Sequence, residues 1–251
     1  MPPARTARGE AASMETSLHR QLKALYSAEP EAQEVRLGTF RIDAVHQGRL
    51  IEIQQGSLGA IRPKIRRLLE EHDVLIVKPL AAQKVLVRRK RAGGAIVSTR
   101  LSPRHETIAD LFADLVYFVD IFPHPRLTLE VVLTRQEEHR VNAKKKWWRG
   151  PDFRVTDRLL VGIEGRVTLR DTADLLRLLP IGLDEQFTTG EIARLAPMPR
   201  WLAQKMAYCL RKMGALEALG KQGNSWLYRA VPQITSTASA VPIRRRRRAA
   251  S

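Results

Sequence analysis

The sequence predicts an α/β fold with a mixed sheet, followed by a smaller unit of helices and a hairpin, and three observations predict it. Short strand-like runs between residues 34 and 54 are separated by turn residues, as in an antiparallel meander. The run Val74 to Val77 is continuously apolar, the pattern of a strand covered on both faces. Segments with helical spacing stand on either side of these strands, and two more, close together, precede a pair of short strands near the C-terminus.

Leu18, Leu22, Leu25 and Tyr26 give an amphipathic helix over 15–27, closed before Pro30. Strands follow at 34–37, 40–45 and 50–54, with Gly38 and Gln47-Gly48 in the turns. After a loop at 55–61, Ile65, Leu68 and Leu69 mark a helix that Pro63 starts, since proline is poorly tolerated inside one. The strand 74–77 comes next, then a hairpin of 85–88 and 95–97 around Gly93-Gly94, a helix over 108–122 and a strand over 127–133. Lys144, Lys145, Lys146, Trp147, Trp148 and Arg149 break the pattern. We therefore read 14–140 as one domain, 141–180 as a linker or extension with strand signals at 159–167 and a helix at 172–179, and 181–231 as a second domain. The two tryptophans among lysines suit either stacking on unpaired bases or docking between domains. Residues 1–13 and 232–251 carry no hydrophobic period and read as disordered tails.

Charge narrows the class of partner. Lys and Arg number 43 against 26 Asp and Glu, a net +17; the run Arg244 to Arg248 supplies five, leaving 17 − 5 = +12 elsewhere. A surplus so widely spread favours a polyanion, DNA first with RNA not excluded, because each Lys or Arg placed on a phosphate releases a counterion. Charge kept for solubility alone is the alternative. Cys209 is the only cysteine, so neither an internal disulfide nor a cysteine zinc site can form, which suits the cytoplasm. No apolar run approaches the ~18 residues of a membrane span, and the N-terminus lacks a signal-peptide core, so no membrane partner is expected. The six histidines show no HxxxH or HExxH spacing, which argues against a zinc hydrolase, and no Walker loop or GxGxxG is present.

The chemistry gathers on one hairpin. If Gln47-Gly48 form its loop, His46 pairs with Arg49, and counting outward sets Asp43 opposite Glu52. Like charges facing each other across a ladder are destabilising, and a divalent cation compensates naturally, since Mg²⁺ takes one or two carboxylates plus waters and phosphate oxygens. The alternative has the two acids solvated and paired with Arg41 and Arg49. Against it, Glu52 lies between Ile51 and Ile53, where burying a lone carboxylate is costly.

This order of helix, strands, Asp43, Glu52-Ile53-Gln54, helix and strand resembles the PD-(D/E)xK superfamily of restriction endonucleases and junction resolvases, over roughly residues 14 to 135. With Leu18-His19 and the stretch Leu127 to Leu133, the chain looks like a bacterial family of that superfamily. The resemblance implies an αβββαβ restriction-endonuclease-like core with a central mixed sheet. It also implies Mg²⁺, with Mn²⁺ as a substitute, held by Asp43 and Glu52, and Glu15 as an additional acid of the leading helix. Gln54 stands where the family has its catalytic Lys. Lys64, expected in the first turn of the following helix, is the migrated candidate, with Gln54 left to orient water or phosphate by hydrogen bonds. Arg62 and Arg66 would add cationic contacts to DNA at a helix N-terminus.

Farther on, Thr188-Thr189-Gly190-Glu191 offers a capping box, and Ile192 and Leu195 the apolar side of a helix. A second helix buries Leu202, Met206, Cys209, Leu210 and Met213 and stops at Gly214. Strands at 215–219 and 226–229 complete what resembles a winged helix-turn-helix over 181–231. Arg200, Gln204, Tyr208 and Arg211 lie on the side away from the core, flanked by Lys205 and Lys212, with Lys221 on the wing; these are the expected DNA contacts. Docking on the first domain or forming a homodimer is the competing use of that surface. The expectation as a whole is a Mg²⁺-dependent DNA endonuclease; the alternative is a non-catalytic DNA-binding or regulatory protein on a degenerate nuclease scaffold.

Overall fold

The computed structural model describes residues 15–143 and 150–232. The tails expected at 1–13 and beyond Pro232, and the segment Lys144 to Arg149, lie outside the described residues. Helix α1 (Ser17–Tyr26) leads into β1 (Gln33–Leu37), β2 (Phe40–His46) and β3 (Arg49–Ile53), then α2 (Leu58–Leu68), β4 (Val74–Arg89), β5 (Ile96–Leu101), α3 (Phe112–Leu115), β6 (Leu127–Asn142), β7 (Phe153–Leu169) and α4 (Thr172–Leu176). The strands form one seven-stranded mixed sheet in the order β1-β2-β3-β4-β6-β7, with β5 paired to β4. β4 runs parallel to β3 and β6, and the other pairs are antiparallel. The expected α/β class and central mixed sheet are present.

One core lies on each side of the sheet. Leu18 and Leu22 of α1 pack on Ala44, Ile51, Ile53 and Val77. On the other face Ile65, Leu68, Phe112 and Phe118 cover Leu50, Ile76 and Leu129. α1 is also tied to β7, where Asp157 accepts from the Ser17 backbone at 2.8 Å and its hydroxyl at 2.7 Å.

Four expectations change. Pro63 sits inside α2 rather than at its start. The Ser57 hydroxyl caps the helix, accepting from Gly59 N at 3.2 Å, and the buried Leu58, Ile65 and Leu68 hold it despite the one missing backbone donor. The helix expected over 108–122 is a 3₁₀ turn (Ile108–Leu111), the short α3 and a series of turns. It keeps a helical period of burial at Leu111, Leu115, Phe118 and Phe122, but its bonds after α3 are mostly of the i→i−3 kind. The separate strands expected at 74–77 and 85–88 are a single strand of 16 residues. Finally, the stretch 141–180, expected as a linker or extension with strand signals at 159–167, supplies the longer, 17-residue β7, which pairs with β6 along its whole length.

β4 passes through Pro79 for a geometric reason. Val77 O accepts from Gln54 N at 2.9 Å, so Val77 faces β3, and Pro79, two residues on, faces the same side. β3 has ended by then, at Ile53, and the nitrogen that cannot donate meets no ladder partner.

The C-terminal unit consists of β8 (Gln186–Thr188), α5 (Thr189–Leu195), α6 (Arg200–Lys212), β9 (Leu216–Gln222) and β10 (Ser225–Ala230), its sheet ordered β8-β10-β9. The expected capping box is formed by Thr188 and Glu191. α6 buries Leu202, Met206, Cys209 and Leu210, and the chain leaves it through Gly214 at φ +75°. Ala203, Met206 and Leu210 belong to the same apolar cluster as Leu111, Phe112 and Leu115, so this unit and the main sheet share a core. No helix among the described residues is long and apolar enough to cross a membrane.

Candidate active site

The β2–β3 turn has positive φ at both loop residues, Gln47 at 50° and Gly48 at 75°, as a two-residue I′ loop requires. Its ladder runs His46↔Arg49, Val45↔Leu50, Ala44↔Ile51 and stops one step short of Asp43 and Glu52, which are nonetheless close enough for their charges to interact. The two side chains line a cleft of about 480 Å³ with Glu15, His19, Gln54 and Lys64.

Glu52 is 8% exposed. Its carboxylate accepts from Lys64 Nζ at 2.6 Å, and the same ammonium donates to the Arg41 carbonyl. Lys64 reaches the acid from the middle of α2, not from a first turn as expected, because the helix starts at Leu58. Asp43 accepts from the backbone N–H of Ile53 at 2.7 Å through one oxygen, and the other lies 3.2 Å from Nε2 of His19. His19 is also 3.6 Å from Glu15.

Charge is divided unequally between the acids. Burial pushes the Glu52 carboxyl up, Asp43 pushes it further, and the opposing pull of Lys64 and His19 leaves it at about 7. Burial acts the same way on Asp43, but the hydrogen bond and charge of His19, the Ile53 N–H and Lys64 outweigh it and hold that carboxyl below its usual range. Asp43 is therefore the ionised member, and Glu52 takes up a proton first.

Glu15 stands just outside α1, whose N-cap is Thr16, and lies 2.5 Å from Lys23 Nζ. Lys23, 3% exposed, also pairs with Glu34. Burial opposes the charge of Lys23, yet its bonds to Glu15 and Glu34 raise it above the ordinary lysine range. Glu15 is thus on the cleft wall but turned to Lys23 rather than joined to the Asp43 and Glu52 pair. Gln54 also lines the cleft, and its amide donates to the Ser57 carbonyl at 2.6 Å, steadying the entry to α2.

Arg62 and Arg66, expected as DNA contacts, lie outside the cleft lining; both stay at least partly exposed and reach Asp120, at 2.9 and 2.5 Å, because their side of α2 faces the turns after α3. The alternative in which the hairpin arginines pair with the two acids does not hold: Arg41 pairs with Glu34, and Arg49 donates to the Thr128 hydroxyl at 2.9 Å. Sequence reasoning passed over Lys23 and Arg158, and left His19 as an ordinary histidine. Glu15, His19 and Lys23 follow one another at four-residue steps, the signal that could have placed them on one face. Arg158 reaches the cleft from β7, one residue before the strand signals at 159–167 begin.

The donor set fits a hard divalent cation. Among the described residues no three His, Cys, Asp or Glu side chains converge closely enough to hold a metal by themselves. Two carboxylates, one of them raised by burial and then by its neighbour's charge, leave the remaining positions to water and substrate oxygens, the habit of Mg²⁺.

On the C-terminal unit, Arg200, Gln204, Tyr208, Arg211 and Lys212 are exposed on α6, and Lys221 on the hairpin. Arg200 donates to the Ser225 hydroxyl at 3.3 Å, and Lys221 lies 5.5 Å from the ring of the half-exposed Trp226. Lys205 departs from the expected surface. It donates to the Ala113 carbonyl at 3.0 Å and lies 5.7 Å from the Tyr117 ring, so it fastens α6 to α3.

Over 219 residues the chain is 28% identical to an uncharacterized protein of Treponema pallidum (strain Nichols), spanning 87% of this chain and 86% of that one. No solved structure matches it. A family model described as a domain of unknown function (DUF8091) matches residues 16–170. That span opens at the cap of α1 and closes just after β7, taking in the whole sheet and the cleft upon it, and on this match the chain belongs to the DUF8091 family.

Proposed function

We propose that the protein is a divalent-metal-dependent DNA endonuclease of PD-(D/E)xK type, with a winged helix-turn-helix at 181–231 that holds the duplex. The observation that carries this reading is Lys64, whose ammonium lies 2.6 Å from Glu52 in a chain that has Gln54 where the family pattern has its Lys. A cation delivered from the next helix supplies at the acids what the strand lacks.

Asp43 and Glu52 are the residues to hold Mg²⁺ or Mn²⁺, which when bound provides a water of lowered pKa and offsets charge on the scissile phosphate. Lys64 places a fixed positive charge beside the same two acids, where negative charge builds up on phosphate oxygens during hydrolysis. His19, 3.2 Å from Asp43, orients that carboxylate and opposes its protonation. On the exposed face of α6, Arg200, Arg211 and Lys212 suit phosphates, and Gln204 a base edge.

A non-catalytic DNA-binding protein is the second reading, favoured by the Gln54 amide being engaged by Ser57. Incubating the full chain with supercoiled, linear, branched and single-stranded DNA in Mg²⁺, Mn²⁺ or EDTA separates the two. We expect metal-dependent cleavage that Asp43→Ala and Glu52→Ala each abolish while DNA binding persists. Tight binding with no cleavage of any form in either metal would leave the second reading in place.

A further inference from the structure

The outer halves of β4, β6 and β7, with β5, form a four-stranded arm beyond the helices, and one of its faces is basic. Register fixes which side chains share that face. Leu86 pairs with Arg100 and Arg88 with Ser98 across β4–β5; Lys84, Leu86 and Arg88 pair with Gln136, Glu138 and Arg140 across β4–β6; and Glu138 pairs with Arg158 across β6–β7. Five cations therefore lie on one side: Lys84, Arg88, Arg100, Arg140 and Arg158.

Glu138 lies among them, 3% exposed. Arg140 reaches it at 2.5 Å, Arg158 at 3.0 Å and Lys84 at 3.6 Å. Burial works to protonate this carboxyl, but hydrogen bonds from Arg140 and Arg158 prevail and hold it below the usual range. Arg140 is braced further by the Phe153 ring, 3.8 Å from its guanidinium carbon. The arrangement does not neutralise the face. Against five cations stand Glu138 and Asp152, the latter 3.5 Å from Arg88, so the balance is 5 − 2 = +3. Glu106, at the near edge, is already matched by Arg104 at 3.3 Å.

The face is continuous with the candidate active site. Arg158 lines the cleft that holds Asp43 and Glu52, and it also lines, with Lys84 and Gln136, a smaller recess beside that cleft. Beyond, Arg88, Arg100 and Arg140 surround a cavity of about 150 Å³. From Lys84 to Arg88 the strand rises about 13 Å, the axial length of roughly four base pairs.

We propose that this face is a phosphate-binding strip that holds duplex DNA flanking the cleavage point, with buried Glu138 as the residue that positions three of its five cations. The inference rests on the nuclease reading of the cleft and names a binding surface that reading did not contain. Cations already held in place lose little side-chain freedom on meeting phosphates, so a buried acid that orders two guanidinium groups and one ammonium strengthens binding despite its own charge.

The test uses the full chain in EDTA, with a labelled duplex of about two helical turns, and reads anisotropy across a salt series. Arg88→Gln/Arg100→Gln removes two of the more exposed cations of the strip. We expect at least tenfold weaker binding at moderate salt and a shallower log-log salt slope by about 1.8, at about 0.9 per phosphate contact. Glu138→Gln separates positioning from charge: it raises the net charge by one, yet should weaken binding several-fold. Tighter binding by Glu138→Gln would overturn its positioning role. Should that variant fail to fold, as its melting curve would show, the double variant alone decides. Unchanged affinity and slope in the double variant, or no duplex binding by the wild type, overturns the strip. Because the assay involves no cleavage, a protein that never cuts but loses DNA binding in the double variant would keep the strip and sink the nuclease reading.

Discussion

Glu52 shows how one residue can make stability depend on pH in an unusual direction. Its carboxyl titrates at about 7 in the folded protein against an ordinary value of 4.5. The folded state therefore binds more protons than the unfolded chain between those values, and metal-free stability falls as pH rises from 4.5 to about 7. The lowered carboxyls of Asp43 and Glu138 act mainly below their ordinary values of 3.8 and 4.5, at the acid side of this window. Denaturant midpoints in EDTA should be lower at pH 8 than at pH 5.5, and Glu52→Gln should remove most of that difference; a wild-type midpoint that rises with pH would contradict the assignment. Lys64→Ala should slow cleavage strongly. Gln54→Lys, placing a second ammonium near the acids that Lys64 already serves, should be neutral or harmful in the same assay, and a large gain in rate would mean that Lys64 has not taken over the role. The acids and Lys64 could be found by counting outward from Gln47-Gly48 and along one helix. The pairing of Arg62 and Arg66 with Asp120 could not be found that way, since Asp120 lies more than fifty residues away in a segment whose spacing predicts a plain helix.

Strands and helices differ in how well the sequence announces them. α6 was legible because its buried residues repeat at helical spacing and Gly214 ends it. The far half of β6 was not. There Thr134, Gln136 and Glu138 are the buried positions, alternating with Arg135 and Glu137, so a row of buried side chains that are all polar left no apolar alternation to see. Pro79 hid the length of β4 in a similar way, since only the end of β3 makes a proline acceptable there. Knowing which side of α6 is free sharpens its test. Arg200→Ala with Arg211→Ala should weaken duplex binding by roughly 1 kcal/mol or more. Lys205→Ala should leave affinity near the wild type and lower the melting temperature, because its ammonium holds the Ala113 carbonyl. The reverse pattern, with Lys205→Ala losing binding and the arginine pair retaining it, would turn the opposite side of the helix toward DNA.

Across the whole molecule the division into two domains with a linker between them gives way to a shared core. The sequence pattern drew a boundary at 141–180 because Lys144 to Arg149 interrupts it, but β7 returns along β6 and α4 then carries the chain under α6. Leu111, Phe112 and Leu115 from the main unit and Ala203, Met206 and Leu210 from the C-terminal one belong to a single apolar cluster. Cutting the chain at 180 would strip water-excluding cover from both parts, so binding is best measured on the full chain. A shared core also predicts cooperativity. Phe112 is fully buried, and Phe112→Ala should cost roughly 3–5 kcal/mol. Hydrogen exchange followed along the chain can tell whether that loss is local. If the two units unfold together, amides of α6 and of the inner half of β6 lose protection in parallel in the variant, and both track its denaturant midpoint. If α6 exchanges freely while β6 keeps the protection of the wild type, the units are energetically separate, and the shared cluster does not couple their unfolding.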